Sequence, residues 1–264
     1  MAYLSLGEID KYLNTLYRRE RSGNRLTPDQ IQNLMMSCSI ELFNTELAIF
    51  DKTKVLTKSL VRHRKSSALT LTLGAATYPA DYARVWRFET AAGYPIDVIN
   101  QDRDNEVYLR LNDVVLAPTS TNPLAVLQGD QIQVYPTTGV TSPVLTYVAL
   151  PVTPIFDWVM TAADEQVYME PTWSINSAGN LVNGLGGTGT VLYYGVTHYT
   201  GGTQDATPAT YYNSQSVELD WANEDKSRIV QLAIQKLGLN DLNPIALRYG
   251  QNEEAKDNTF KFAQ

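Results

Sequence analysis

The sequence predicts an α+β fold in which an N-terminal helical hairpin and C-terminal helices bracket a central antiparallel β-rich domain. Apolar residues recur at helical spacing up to residue 50 and again after Asn223, whereas they alternate with polar residues in much of the chain between. The composition agrees, because the 16 tyrosines and the many Thr and Val residues suit a pleated surface. At 264 residues the chain is long enough to bury a substantial core.

Two capping boxes mark the N-terminal hairpin. Ser5 and Glu8 form the first, and Thr27 and Gln30 form the second, with Pro28 at the first helical position. Each box is followed by an apolar stripe: Ile9, Tyr12, Leu13, Leu16 and Tyr17 in the first helix, and Ile31, Leu34, Met35, Cys38 and Leu42 in the second. Because Cys38 is the one cysteine of the chain and lies in a stripe, we expect a buried structural thiol.

Strand-like alternation begins after the hairpin. It predicts strands at 69–73, 85–89, 95–99, 131–135 and 144–149, with a short helix at about 104–111 between them. A further strand is predicted at 190–196. A long helix is expected to begin at Asn223 and to end at Gly238, and a last helix follows Asn243 and Pro244.

These elements divide the chain into four segments. We predict a helical hairpin at 1–52, a central β domain at 53–173, a Gly-, Tyr- and Thr-rich insertion at 174–213, and C-terminal helices with a partner-binding tail at 214–264. The tail is assigned to a partner because it ends in NTFKFAQ, whose two phenylalanines have no evident core to enter.

Charge is distributed unevenly along the chain. Residues 1–65 hold eleven Lys and Arg against seven Asp and Glu, whereas residues 111–225 hold eleven Asp and Glu and no Lys or Arg at all. A surface without positive charge cannot neutralise phosphates, so tight nucleic-acid binding by that long stretch is excluded. An acidic wall would instead keep attraction to DNA low.

One basic run stands apart: Lys52, Lys54, Lys58, Arg62, Arg64 and Lys65. We expect its side chains to fall largely on one face at strand-like spacing. A solvated face, or a contact with the acidic body of an adjacent identical subunit, is favoured over DNA binding. A head-to-tail contact of that kind closes into a ring when its rotation allows.

No pattern in the chain predicts catalysis, a cofactor or a metal. Residues 184–189 match G-x-G-x-x-G but lack the preceding strand and following helix of a dinucleotide site. The acidic set beginning at Asp102 has Val107 where a calcium loop requires Gly. His63 and His198 are far apart in sequence, and the adjacent Asp164 and Glu165 are better explained as solvated loop residues. We therefore expect a protein that is not an enzyme.

The chain also lacks any run of about 20 apolar residues that could span a bilayer. Its first ten residues have neither a basic nor an apolar leader region, so we expect no secretory signal and synthesis inside the cell.

Four segments carry a resemblance to a known family: TYPADYARVWRFE at 77–89, LAPTSTNPLAV with IQVYP at 116–136, VLTYVALPVTPIFDW at 144–158, and VELDWANEDKSRIVQLAIQKLGLNDLNP at 217–244. With the N-terminal hairpin, they resemble the head-to-tail connector, or adaptor, proteins of tailed bacteriophages, and most closely the ring proteins of crAss-like podoviruses. The Gly-, Tyr- and Thr-rich stretch at 174–213 departs from that pattern, which leaves open the ring in which such a subunit lies.

The resemblance implies a structural virion protein that assembles in the bacterial host cytoplasm. Its identical copies would form a ring, commonly of twelve, that joins the portal protein to adjacent tail or ring proteins, and DNA would pass through without tight binding. Subunit and portal contacts are expected at Ile9, Leu13, Leu16, Ile229, Leu232, Tyr249, Phe260 and Phe262.

Two other functions remain open from the sequence. One is a tail tube or nozzle subunit of the same virion, which has the same chemistry and different neighbours. The other is a carbohydrate- or receptor-binding module, for which an aromatic platform would be formed by Trp173, Tyr193, Tyr194 and Tyr199.

Overall fold

The computed structural model describes residues 4–20, 25–100, 103–184, 190–200, 203–204 and 212–238. The chain is a mixed α+β protein. The helices of the described residues are α1 Leu6–Glu20, α2 Pro28–Thr53, α3 Lys58–Val61, α4 Asp104–Asn112 and α5 Asn223–Leu237. No helix in this part of the chain is long and apolar enough to cross a membrane.

The strands are short and mostly antiparallel. Those of the first half are β1 Arg64–Ala68, β2 Ala75–Thr77, β3 Tyr82–Glu89, β4 Asp97–Asn100, β5 Leu124–Gln128, β6 Gln131–Tyr135 and β7 Val144–Ala149. Those of the second half are β8 Trp158–Met160, β9 Gln166–Tyr168, β10 Trp173–Ile175, β11 Leu181–Asn183, β12 Val191–Tyr193, β13 Thr197–Thr200, β14 Thr203–Gln204 and β15 Tyr212–Asn213.

The chain folds as two compact units. The first unit combines Met1–Leu42 with Val152–Gln264, and the second unit is Phe43–Pro151. This division groups the chain differently from the four sequence segments. The second unit takes the end of α2 and most of the expected central β domain, while residues 152–173 belong with the helical hairpin, the Gly-rich stretch and α5.

Helices α1 and α2 begin, and α5 begins and ends, where the sequence predicts; the last helix expected after Asn243 and Pro244 lies outside the described residues. Both capping boxes form: the Glu8 N–H donates to Ser5 Oγ at 3.2 Å and the Ser5 N–H to Glu8 Oε2 at 3.2 Å, and Thr27 and Gln30 exchange the same pair of bonds at 3.0 and 3.3 Å. Cys38 is buried as predicted. Helix α5 ends at Gly238, whose φ of 62° is the left-handed conformation that favours glycine at a helix end.

Two four-stranded sheets complete the first unit, in the orders β12-β11-β10-β15 and β14-β13-β8-β9. They share a core of Val159, Met169, Ile175, Leu181 and Val196. Residues 174–213 therefore supply strands to both sheets and extend well beyond the single strand that the sequence indicated there. That strand forms as β12 and is shorter than the predicted 190–196; residues 185–189, 201–202 and 205–211 lie outside the described residues.

The second unit contains a three-stranded sheet, β1-β7-β3, and a four-stranded sheet, β2-β6-β5-β4. Its main core includes Phe88, Ile132, Val134, Leu145 and Tyr147. The predicted strands 131–135 and 144–149 are confirmed as β6 and β7, and 85–89 lies within β3. The helix expected at 104–111 is α4, which packs against a smaller cluster of Ile99, Leu124 and Val126.

The strand predicted at 69–73 was wrong. Strand β1 ends at Ala68, and the chain turns at Leu73 and Gly74, whose φ angles are 54° and 81°. Thr72 and Ala75 exchange backbone hydrogen bonds of 2.8 and 3.0 Å across this two-residue turn. Positive φ at both central residues is the geometry of a tight hairpin turn, so the leucine alternation ends in a reversal of direction.

Candidate functional site: a basic sheet face in the second unit

The basic run of the sequence does not form one strand. Lys52 lies in the last turn of α2, Lys54 follows that helix, Lys58 opens α3 and Arg62 ends it, and Arg64 and Lys65 open β1. The strand-like spacing expected for 52–65 is therefore wrong before Arg64. The reason is local: Thr57 is the N-cap of α3 and accepts the Leu60 N–H at 3.4 Å, which starts a helical turn in the middle of the run.

The structure brings other basic residues to this run. In the β1-β7-β3 sheet, Val148 is opposite Arg64 on one side and Arg84 on the other, and Thr146 is opposite both Ser66 and Arg87. Directly opposite residues of antiparallel strands share a face. Leu145, Tyr147 and Phe88 are buried on the other face. Arg64, Arg84 and Arg87 are exposed, although Val148 between Arg64 and Arg84 is itself buried.

We call this surface the basic sheet face; it consists of Arg64, Ser66, Arg84, Trp86, Arg87 and Thr146. The Arg64 guanidinium lies 5.0 Å from the centre of the Trp86 ring, which is a cation–π arrangement. The Ser66 and Thr146 hydroxyls lie 3.0 Å apart between the arginines. The face thus combines planar cations, an aromatic ring and hydroxyls, a set suited to binding carboxylates or other anions.

The arginines differ in their partners. Arg84 Nε lies 3.3 Å from Asp51 Oδ1, and Arg87 pairs with Glu89. Arg64 has no carboxylate within ion-pair distance among the described residues, and its guanidinium lies over the Trp86 ring. The described residues thus leave the charge of Arg64 uncompensated on this face.

Lys65 is directly opposite Tyr147, on the other face of the sheet from Arg64. Its Nζ lies 2.6 Å from Asp81 Oδ2, and the Tyr147 hydroxyl donates to Asp81 Oδ1 at 2.8 Å. Partial burial raises the pKa of Asp81, but the hydrogen bonds from Lys65 and Tyr147 outweigh it and hold that pKa below the ordinary value. Burial, and then Asp81, raise the pKa of Tyr147 to about 12. Lys65 is therefore engaged within its own chain.

Sequence reasoning found Arg64 but missed Arg84, Trp86 and Arg87. They belong to YARVWRFE, a segment whose polar and apolar residues do not alternate regularly. The structure shows why: β3 has register shifts between Tyr82 and Arg84 and between Val85 and Arg87, so extra residues interrupt the two-residue period. A break of this kind beside an otherwise clear strand is the signal that could have located the face.

The expected apolar interface residues are placed differently from the basic ones. Ile9, Leu13 and Ile229 are buried in the described part of the first unit, and Leu16 and Leu232 are half-buried. The core accounts for the apolar character of the first three. Tyr249, Phe260 and Phe262 lie outside the described residues.

The first unit holds a buried polar network around Asp157. Its Oδ1 lies 2.7 Å from His198 Nε2, and its Oδ2 accepts the Tyr212 hydroxyl and the Gln215 N–H, each at 3.0 Å. Both carboxylate oxygens are thus occupied by groups of the same fold. The geometry fixes β13 and β15 against the start of β8, which is a structural role.

A second network ties the start of α1 to α5. Lys226 is buried, donates from Nζ to the Leu4 carbonyl at 2.9 Å and lies 3.9 Å from Glu218 Oε2. Glu218 also accepts the Leu6 N–H at 2.9 Å and the Tyr168 hydroxyl at 3.0 Å. Burial, and then Glu218, raise the pKa of Tyr168 far above its ordinary value.

The remaining candidate residues belong to the first unit. Asp164 and Glu165 are exposed in the loop between β8 and β9. Of the four aromatic residues considered for a platform, Tyr194 is exposed, Trp173 and Tyr193 pack against the core, and Tyr199 stacks on Trp158 with ring centres 4.5 Å apart. Most of these aromatic rings therefore pack within the fold.

No three His, Cys, Asp or Glu side chains of the described ranges are grouped so that they could hold a metal ion. Neither a family model nor a curated protein sequence matches this chain.

Proposed function

We propose that this protein is a structural subunit of a virion, one copy in a head-to-tail connector ring that joins the portal to the tail and surrounds the DNA. The N-terminal helical hairpin and the C-terminal helices bracket the β-rich part in this proposal, as in the family that the sequence resembles. The subunit has no catalytic step; its function is to hold its neighbours.

The segregation of charge is the observation that carries the proposal. The second unit gathers Arg64, Arg84 and Arg87 on one sheet face, while 111–225 has no basic residue. The exposed Asp164, Glu165 and Glu170 of that stretch have no ion pair among the described residues. A basic face and an acidic surface on one chain favour contact between successive copies; such a contact is heterologous and closes into a ring when its rotation allows.

The same charge pattern suits a DNA channel. A wall that bound phosphates tightly would resist movement of the genome, whereas an acidic or neutral wall has little attraction for it. In the proposed ring the basic sheet face is therefore covered by the next copy and part of the acidic stretch lines the lumen. The tail tube or nozzle subunit has the same chemistry and remains the alternative within the virion.

Electron microscopy of negatively stained protein, with and without the portal protein encoded in the same genome, tests the proposal. We expect rings that attach to the portal, and we expect light scattering to show smaller assemblies as salt is raised. A monomer at every salt concentration, with no attachment to the portal, contradicts the proposal. Binding of that monomer to a glycan array would favour the receptor-binding alternative.

Charge reversal gives a finer test. Arg64→Glu should weaken assembly about tenfold or more, because the lost contact becomes a like-charge contact. Lys11→Glu makes the same change at an exposed position of α1 and serves as the matched control. Equal effects of the two variants would show that net charge, and not this face, governs assembly.

A further inference from the structure

A second surface of the same unit exposes apolar side chains that no core requires. Tyr108 and Leu109 on α4 are 68% and 67% exposed, and Val114, Val115 and Leu116 after it are 98%, 88% and 57% exposed. We call these five residues the α4 knob. Apolar side chains this exposed and this close in sequence are typical of a surface that another protein covers.

The α4 knob has a defined shape. Val107 and Leu111 pack against the cluster under α4 and anchor the helix. Beyond the helix, Asp113 Oδ1 accepts the N–H groups of Val115 and Leu116 at 2.7 and 2.9 Å, and its carbonyl accepts the Ala117 N–H at 3.1 Å. These backbone hydrogen bonds hold the pKa of Asp113 below its ordinary value. The turn is thus fixed by its own chain while its apolar side chains face outward.

The 52–62 segment offers a complementary surface. It is anchored by the buried Leu60 and capped by Thr57, yet Val55 and Val61 are 66% and 46% exposed. Lys58, Val61 and Arg62 are three and four positions apart, so they share one face of α3. The segment therefore presents valines among exposed lysines and an arginine.

The charges of the two surfaces are opposite. At the α4 knob, Arg110 is engaged by Asp97 at 2.7 Å and Arg103 by Glu106 at 3.3 Å, whereas Asp113 has no basic side chain within ion-pair distance among the described residues. The 52–62 segment carries Lys52, Lys54, Lys58 and Arg62 and no acidic residue. Lys54 Nζ lies 3.8 Å from Asp51 Oδ1, whereas Lys52 and Arg62 have no ion pair among the described residues. Since both surfaces are exposed in one copy, neither covers the other there.

We infer that the α4 knob of one copy docks on the 52–62 segment of the next. The knob's valines contact Val55 and Val61, and Asp113 lies toward the lysines and Arg62. This inference rests on the proposed ring in one respect, the head-to-tail order of copies. It adds an apolar contact that the charge distribution along the sequence did not indicate. Because the two surfaces differ, the contact is heterologous and repeats from copy to copy.

Cross-linking two variants, each with one added cysteine, tests this pairing. Val115→Cys and Val61→Cys are purified separately, mixed and treated with a short bis-maleimide; the unmodified chain, whose Cys38 is buried, is the blank. We expect a mixed dimer, identified by mass spectrometry, at about ten times the yield of either variant alone. Absence of the mixed dimer overturns the inference, whether or not rings are seen. A dimer from Val115→Cys alone overturns it too, because knobs would then meet knobs.

A second variant measures the contribution of the apolar contact. Val115→Asp should weaken association about tenfold, which corresponds to about 1.4 kcal/mol. Val191→Asp, at an exposed valine of β12 in the first unit, is the matched control and should leave association unchanged. Circular dichroism establishes that both variants fold. Equal association by Val115→Asp and the unmodified chain overturns the inference.

The two proposals fail separately. Rings on the portal without a mixed dimer leave the connector function standing and remove the knob contact. A mixed dimer from protein that forms open filaments, with no attachment to the portal, supports the knob contact and removes the connector function.

Discussion

The two units differ in their most unusual side chains, although Glu46 of the second unit is also buried and Tyr194 of the first is 79% exposed. The first unit buries charged groups and surrounds them with partners: Asp157, Lys226 and Asp10 are all buried. The second unit exposes large apolar side chains on the α4 knob, at Leu73 and along the 52–62 segment. Both arrangements depart from the usual separation of apolar interior and polar surface, and they do so in different directions.

This difference between the units indicates different roles for their buried charges and their exposed apolar side chains. A buried charge is tolerated where the fold supplies its hydrogen bonds, so the networks of the first unit select one arrangement of its strands and helices. An exposed apolar side chain contributes little to folding and much to association. The described residues of the first unit accordingly satisfy their buried charges within one chain, and the exposed apolar side chains of the second unit are those that the proposed neighbour would cover.

Asp157→Ala should have the largest effect. It removes the acceptor of His198, the Tyr212 hydroxyl and the Gln215 N–H, so we expect the first unit to lose about 3–5 kcal/mol of unfolding free energy. Urea unfolding of the Trp86→Phe chain, followed by fluorescence, measures it, because the three remaining tryptophans all belong to that unit.

Glu165→Ala is the control for the Asp157 variant, since that carboxylate is exposed in the loop after β8. We expect it to change the unfolding free energy by about 0.5 kcal/mol or less. If Asp157→Ala lowers the unfolding free energy as little as Glu165→Ala does, the buried network does not hold the sheets of the first unit. The proposed contrast between the units is then wrong for the first unit.

Lys226→Met should have the next largest effect, a loss of about 2–3 kcal/mol in the same unfolding experiment. It leaves the Leu4 carbonyl without its donor and Glu218 without its nearest cation. Adding Glu218→Gln removes the stranded charge, so the double variant should recover part of the loss. Additive losses in the two variants would show that Lys226 and Glu218 act independently.

The buried thiol gives a smaller effect that appears with pH. Burial raises the pKa of Cys38 to about 11 from an ordinary value of 9.0. Because folding raises this pKa, the neutral Cys38 thiol stabilises the folded state below pH 9, and this stabilisation is lost as pH rises through 11. The unmodified chain should therefore lose about 1–2 kcal/mol more than Cys38→Ala between these pH values. Parallel pH curves for the two chains contradict this.

The sequence predicted those elements whose signals are local. The capping box at Ser5, the αL glycine at Gly238 and the alternation in β6 and β7 each depend on residues a few positions apart. The basic sheet face could not be predicted from the sequence, because Arg64 and Arg84 are brought together by β7, which lies some 60 to 80 positions further along the chain. The bulges in β3 also hide its period.

The sheets of the first unit could not be predicted from the sequence either, because they too depend on pairing between distant segments. Strands such as β15, at Tyr212–Asn213, are too short to show any period. They are held by pairings with distant strands, β10 with β15 and β8 with β13. The half-buried partners of Lys226, Leu4 and Glu218, likewise come from separate parts of the chain, so the pattern around any one residue could not indicate that a lysine enters a core.

Two valines of the second unit provide the smallest expected effect and the most direct test of its surface. Val114 is almost fully exposed beside α4, and Val134 is buried in β6. Val114→Ser should change unfolding free energy by about 0.5 kcal/mol or less, since no packed contact is lost. Val134→Ser should cost about 2–4 kcal/mol, because it leaves a cavity and buries a hydroxyl.

Hydrogen exchange of the β5 and β6 amides, measured by mass spectrometry on the monomer, reports both losses in the same unit. In assembled protein the order should change: Val114→Ser then weakens association while Val134→Ser acts through folding alone. A valine whose substitution leaves the stability of the monomer unchanged but weakens association belongs to an interface. If Val114→Ser destabilises the monomer as much as Val134→Ser does, the knob is part of the fold, and the second unit is as complete in one chain as the first.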